Sequence, residues 1–258
     1  MYNMKKFLPK KKALVIITMF ACSFLLTTTV SFAATKTWNG GTGPGKDWTT
    51  AGNWLPVGAP VAGDDIVFNT AGTITFATMP ASVTYNSLTI SAGNVTLAGG
   101  AACTLTLGTV PGDDLYVLGS LTIGSNVDIT LASNANGKID GTFNIGSGRN
   151  YNTDGAGVVT SAFGTISNAG TITSSVSKLL MQTGCAYIHS QNGGTVPTAT
   201  WDVNSFCVIT GLTTTHPAGG NQAFGNLTYD CAGMSTNLTM ASGVSIAGTF
   251  TIENTGSA

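Results

Sequence analysis

Residues 119–145 read GSLTIGSNVDITLASNANGKIDGTFNI, and this stretch decides the fold. Leu121 and Ile123, then Val127, Ile129 and Leu131, then Phe143 and Ile145 alternate with Thr, Asp or Asn. Alternation over four or five residues, broken by Gly, Asn and Ser, is the pattern of a half-buried β-strand. It recurs at Ser87–Ile90, Leu105–Leu107 and Asn237–Met240. Asn-Gly pairs at 39–40, 136–137 and 192–193 mark turns. Beyond residue 33 no segment carries a 3.6-residue apolar period, so the chain reads as all-β.

The same stretch opens a repeat. A Gly-[Ser/Thr/Asn]-[Leu/Phe/Ile]-[Thr/Asn/Ser] unit begins at Gly119, Gly141, Gly164, Gly225 and Gly248, in steps of 22, 23, 61 and 23 residues. A further copy at Gly170 interrupts the series. One turn of a right-handed parallel β-helix takes about this many residues, and each coil buries its inward side chains only against its neighbours. The rival fold is a β-sandwich, with hairpins every ~8–12 residues. Hairpins alone do not return whole motifs at coil length, which favours the solenoid. Its corners are expected to need Gly or Asn at positive φ. At about 4.8 Å per coil the stack is expected to be about 40 Å long.

Composition agrees. Of 258 residues 43% are hydrophobic and only 8% charged, with 34 glycines. Helical surfaces need Lys, Glu and Arg, which are scarce here. Nucleic-acid binding needs a basic stripe, and none is present. Five of the ten basic residues, Lys5, Lys6, Lys10, Lys11 and Lys12, precede the apolar run ALVIITMFACSFLL at 13–26. Ser31-Phe-Ala-Ala34 follows, so residues 1–33 read as a signal peptide cut after Ala33. A retained membrane anchor and a lipoprotein cut before Cys22 are weaker alternatives: Thr27, Thr28, Thr29 and Ser31 dilute the run, and Met19-Phe-Ala21 is a poor lipobox. The chain after the cut keeps five cations against all eleven acids, a balance of −6 that names no partner. It is expected to be secreted or on the cell surface, with no membrane span of its own.

Residues 34–80 stand apart from the repeats of 81–258. Trp38, Trp48 and Trp54 fall within seventeen residues, in the setting Trp38-Asn-Gly-Gly41, Asp47-Trp48, Asn53-Trp54, Gly58-Ala-Pro60 and Asp65-Ile-Val-Phe68. A solenoid's first coil exposes an open apolar end and needs a cap, which these indoles could form. They could instead make, with Trp201, an aromatic platform for sugar rings. The pattern resembles the start of large secreted β-solenoid surface proteins common in Bacteroidetes. The later stretch Gly193–Trp201, Cys207–Gly211 and Gln222–Tyr229 resembles the same group. The resemblance implies a surface or secreted, outer-membrane-associated, adhesin-like protein, usually long and often with a C-terminal sorting domain. No such domain is visible, and the repeats are expected to continue past Thr251–Ala258.

Cys185, Cys207 and Cys231 are spaced by 22 and 24 residues, again about one coil. Stacked equivalent positions lie about 4.8 Å apart, within disulfide range. Export to an oxidising compartment permits one bridge, and a ladder of buried thiols is the equal alternative. Zinc on Cys185, His189, Cys207 and His216 fits no compact ligand spacing. Asp64-Asp65, Asp113-Asp114 and Asn152-Thr-Asp154 resemble pieces of the polygalacturonase signature. The Asp-Asp pairs precede Asn-Thr-Asp when they should follow it, and the Gly-His-Gly and Arg-x-Lys elements are absent. Arg149 and Lys178, candidate lyase bases, have no acidic neighbours in sequence. The acids are then turn caps, and neither enzyme activity nor a cofactor is expected.

Function is therefore expected to be structural or adhesive, with polysaccharide or other cell-surface components as partners. A carbohydrate-active enzyme or glycan-binding module is the alternative. Acids clustered beside Arg149 or Trp201 would favour the enzyme, and a smooth Thr/Ser/Asn face the structural reading. Thr-x-Thr recurs at 73–75, 104–106, 171–173, 198–200, 213–215 and 249–251, the pairing that ice-binding solenoids use once per coil. Its irregular intervals predict no single flat ladder.

Overall fold

The computed structural model describes residues 33–108, 112–237 and 239–257. The leader predicted at 1–33 lies almost wholly outside the described residues. From Ala33 onward the chain forms one compact unit, a parallel β-solenoid of about 8 turns. At the spacing of paired strands this makes a stack about 40 Å long.

Three sheets build the stack, and one of them runs its full length. Face A begins with Thr35–Trp38 and continues through Asp65–Phe68, Ser87–Ile90, Asp113–Val117, Asn136–Ile139, Val159–Ala162, Leu179–Met181 and Thr200–Trp201. Face B is the longest, ten strands from Gly43–Asp47 to Phe250–Asn254. Face C has five, from Val83–Tyr85 to Thr171–Thr173. Past that point the third side is made, among the described residues, by loops 190–199, 210–222, 231–237 and 239–244, joined by turn hydrogen bonds and one bridge, Thr195 to Ala218. Apart from Trp54–Leu55, which runs antiparallel to the first strand, every strand pair is parallel.

The alternating residues do what their pattern demands. On face B the inward column runs Ile74, Val95, Leu121, Phe143, Ile166, Tyr187, Cys207, Leu227, all of them buried. Burying one such aliphatic or aromatic side chain is worth about 1.5–3 kcal/mol, and each does so against the coils above and below. Two columns face outward from the same strands. One reads Thr73, Asn94, Ser120, Thr142, Thr165 and the other Thr75, Thr96, Thr122, Asn144, Ser167. As their intervals predict, the Thr-x-Thr motifs make no single ladder: 73–75 lies on face B, 104–106 and 171–173 on face C. What runs in register up face B is a mixed ladder, in which Asn or Ser takes one of the two positions in every coil after the first. It gives way to Ala186, Ile188, Phe206 and Val208 in the next two coils.

The repeat glycines sit at the corner between faces A and B. Leu118-Gly119, Asp140-Gly141 and Phe163-Gly164 each turn the chain in two residues, and the coils touch there. Thr142 N donates to Gly119 O at 2.9 Å, and Thr165 N to Gly141 O at 2.8 Å. A Cβ on Gly141 would overlap the carbonyl oxygens of Gly119 and Leu118, and one on Gly119 would lie 2.6 Å from Gly93 O. None of the three glycines has positive φ. Close backbone approach, not the left-handed conformation, selects them. Where the corner widens to four residues, at 182–185 and 202–205, Cys185 and Ser205 take the glycine position. The copy at Gly170 differs in kind, since its Thr171–Thr173 strand belongs to face C.

Gly141→Ala is expected to cost about 1–3 kcal/mol, as overpacking against a fixed backbone does. Gly100→Ala, where a Cβ meets nothing within 4 Å, should stay within about 0.5 kcal/mol. Urea denaturation of the two variants beside the parent chain checks both.

Candidate functional site

The three clustered tryptophans close the first coil. Trp38, Trp48 and Trp54 are 2%, 1% and 0% exposed. Their rings meet edge to face, Trp38 on Trp54 at 5.1 Å and Trp48 on Trp54 at 4.9 Å between centroids, with Phe68 and Phe76 beneath. Each indole N–H is occupied: Trp38 donates to Gly41 O at 2.9 Å, Trp48 to the Tyr85 hydroxyl at 3.0 Å and Trp54 to Trp48 O at 2.7 Å. The Asp47 carboxylate, held below its usual range by the Thr49 hydroxyl, ties the loop down through Thr49 and Thr50. A sugar platform made of Trp38, Trp48 and Trp54 is therefore ruled out, because packing and hydrogen bonding consume all three rings.

Trp201 is different. It lies on the last strand of face A, opposite Met181, and is only partly buried against the core. Phe224 packs on it at 5.0 Å and Tyr187 at 6.0 Å. Two clefts border it. One, of about 440 Å³, is lined by Val176, Thr198, Thr200, Asn221 and Gln222; the other, of about 400 Å³, by Leu180, Gln182, Asp202 and Val203. Of the four expected platform residues, this one alone has room beside it.

Several carboxylates are spent on backbone. Asp64, buried, accepts from Ala34 N and Val61 N at 3.0 and 2.9 Å. Asp114 accepts from Asn136 N of the next coil at 2.7 Å; burial pushes its carboxyl upward and that N–H pulls it back. Asp128 accepts from Asn150 N and sits 3.6 Å from Arg149 Nη1. Asp65 accepts from the Ser87 hydroxyl, and Asn152 accepts from Asp154 N. Lys178 donates to Gly155 O at 2.8 Å. Among the described residues no three His, Cys, Asp or Glu side chains converge, and no helix is long and apolar enough to cross a membrane.

The cysteine ladder does not form. Coils here advance by 20 residues, Ala186 to Phe206 to Asn226, so a spacing of 22 or 24 slips the register. Cys207 lies opposite Tyr187 and Leu227, and the Cys231 thiol donates to Ile209 O at 3.1 Å. Cys103, Cys185, Cys207 and Cys231 are free, buried thiols. Burial pushes Cys103 up to about 11 and Cys185 up to about 12, which leaves both inert as nucleophiles.

His189 belongs to the core and to no metal set. It is wholly buried, and it stacks on Asn168 across one coil step. Its Nε2 donates to Gly193 O at 2.7 Å, so Nδ1, 3.1 Å from the Tyr187 hydroxyl, accepts from it. Asn168 Nδ2 donates to that same hydroxyl at 3.0 Å. The chain satisfies a neutral imidazole completely.

Sequence reading missed Gln222, whose amide braces the Trp201 indole at the edge of the cleft. Its Oε1 accepts from Ala199 N at 3.0 Å and Trp201 Nε1 at 3.2 Å, and its Nε2 donates to Pro197 O and Gly219 O. A lone Gln in a loop carries no sequence signal of such a role. Comparisons with protein-family models, curated proteins and solved structures find no match to this chain.

Burial lowers the pKa of His189 from 6.5. The unfolded chain therefore binds more protons than the folded one once pH falls below about 6.5. Stability from this residue is complete above that pH and declines below it. The melting temperature should fall between pH 7.5 and pH 5, and His189→Gln should flatten that slope while lowering the pH 7.5 value. Scanning calorimetry across the range checks it.

Proposed function

We propose that the chain is an exported structural and adhesive segment of a cell-surface or secreted protein. The supporting observation is the double column of uncharged Thr, Ser and Asn side chains running in register up five coils of face B. Such a face is smooth and hydrated, and the coils behind it are locked by continuous ladders and a buried apolar core. Asp64, Asp114 and Asp128 bind neighbouring backbone, and two ion pairs stand isolated, Lys138 with Asp140 at 2.9 Å and Arg149 with Asp128. General acid–base chemistry needs carboxyl groups at a defined separation about a cleft, and the clefts beside Trp201 contain one acid, Asp202. The columns and the locked coils behind them support a role in rigidity and surface contact.

The test is to express the full chain in a Gram-negative host. The expected result is a mature N-terminus at Ala34, protein outside the inner membrane, and no depolymerisation across a panel of polysaccharides. Cytoplasmic retention of the uncut chain would overturn export. Depolymerisation abolished by Asp114→Asn or Asp202→Asn would move the reading to the enzyme alternative.

The same ladder favours one second reading, contact with ice. Adjacent coils are about 4.8 Å apart and the two columns about 7 Å, spacings close to those of oxygen rows in hexagonal ice. Faceting of ice crystals by the mature chain, abolished by Thr122→Lys at the centre of the face, supports this reading. Unmodified crystal growth removes it.

A further inference from the structure

Face A stops short of the top of the stack. Its ladder ends at Thr200–Trp201, and the next strand on that side, Ala223–Phe224, pairs only with Ser245–Ile246. Gln222 stands in for the missing backbone pairs. Its four hydrogen bonds, to Ala199 N, the Trp201 indole N–H, Pro197 O and Gly219 O, use every strong donor and acceptor of the amide. They also fix the indole in one orientation, so the ring is held before any ligand arrives. What would be a closed wall is a built gap, with a cleft on either side of a pinned aromatic ring.

The lining defines the ligand chemistry. The larger cleft carries no charged side chain: Thr198, Thr200, Asn221 and Gln222 supply polarity, and Val176 and Ala223 the rest. Asn221 is exposed and makes no side-chain hydrogen bond among the described residues, leaving a free carbonyl and a free NH₂. The Thr200 hydroxyl donates to Val176 O and keeps its lone pairs. The smaller cleft holds one carboxylate, Asp202, and no cation. An apolar ring face beside a few amides and hydroxyls matches a sugar, whose C–H face is apolar and whose rim is hydroxyls. A uronate, sulfate or phosphate group would meet Asp202 and no compensating cation.

We infer that the Trp201 gap is a binding site for a neutral oligosaccharide, one ring resting on the indole and its hydroxyls meeting Asn221 and Thr200. This rests on the adhesive reading and gives it a place and a ligand class.

The test uses the mature chain in affinity electrophoresis and calorimetry against soluble glucan, mannan and xylan, with pectate and alginate as anionic counterparts. The expected result is binding to at least one neutral polymer, at least tenfold weaker for Trp201→Ala and several-fold weaker for Asn221→Ala. Trp201→Phe should retain part of the affinity. Because Asn221 is exposed, its variant keeps the test valid if Trp201→Ala melts early. Neutral-polymer binding unchanged by Trp201→Ala and Asn221→Ala overturns the site, and so does binding to the anionic polymers alone. If no polysaccharide binds while the exported chain still attaches cells to surfaces, the site fails and the adhesive reading stands. If export fails as well, that reading falls separately.

Discussion

Everything in this molecule depends on how closely successive coils approach at the corner between faces A and B. There, the backbone of one coil lies against the carbonyls of the last, at Gly119, Gly141 and Gly164. The contact fixes the vertical step and the rotational phase together. Once both are fixed, inward positions stack on inward positions, and the apolar columns become continuous. Hydrophobic burial supplies the energy but does not choose the register, since a leucine column is indifferent to small slips. The corner supplies that choice. A glycine with ordinary negative φ, which looks replaceable from its conformation alone, is thus among the least replaceable residues present.

Most polar groups taken inside are handled by a second rule and are answered within one coil; among the described residues the buried Arg149 Nε is the exception, with no hydrogen-bond partner. The Tyr151 hydroxyl bonds to Thr160, and Thr153 bonds to the same oxygen. The Asn168, Tyr187 and His189 chain ends on Gly193 O. Asp64, Asp114 and Asp128 each cap a backbone N–H that lies near in space and distant in sequence. Unpaired burial of any one would cost about 1–3 kcal/mol or more. Charged residues are few, and many of them serve as connectors between coils.

Strand identity and coil length were legible because period-two alternation and a recurring glycine motif are local signals. Leu121, Phe143 and Ile166 stack as the repeat implies. The stacked-cysteine reading failed because it assumed one coil length. Coils span 26 residues from Asn94 to Ser120 but 20 from Ala186 to Phe206. Equal spacing then put Cys185 and Cys207 out of register, and unequal spacing concealed the Thr, Ser and Asn columns. Trp residues were legible as special but not as buried or open, because a ring's accessibility is decided by what folds over it. The gap at Trp201 depends on Gln222, twenty-one residues away, and on a sheet ending that no short window of sequence records.

Variable coil length has an architectural meaning. The A–B corner keeps two residues through three successive coils, at 118–119, 140–141 and 163–164. Across those coils the corners on either side of face C take from two to six. Added or lost residues bulge outward there and leave the stack undisturbed. The rod thus has one edge that keeps time and others that can improvise. New loops can be grafted or lost on either side of face C without altering the height at which any other part is displayed.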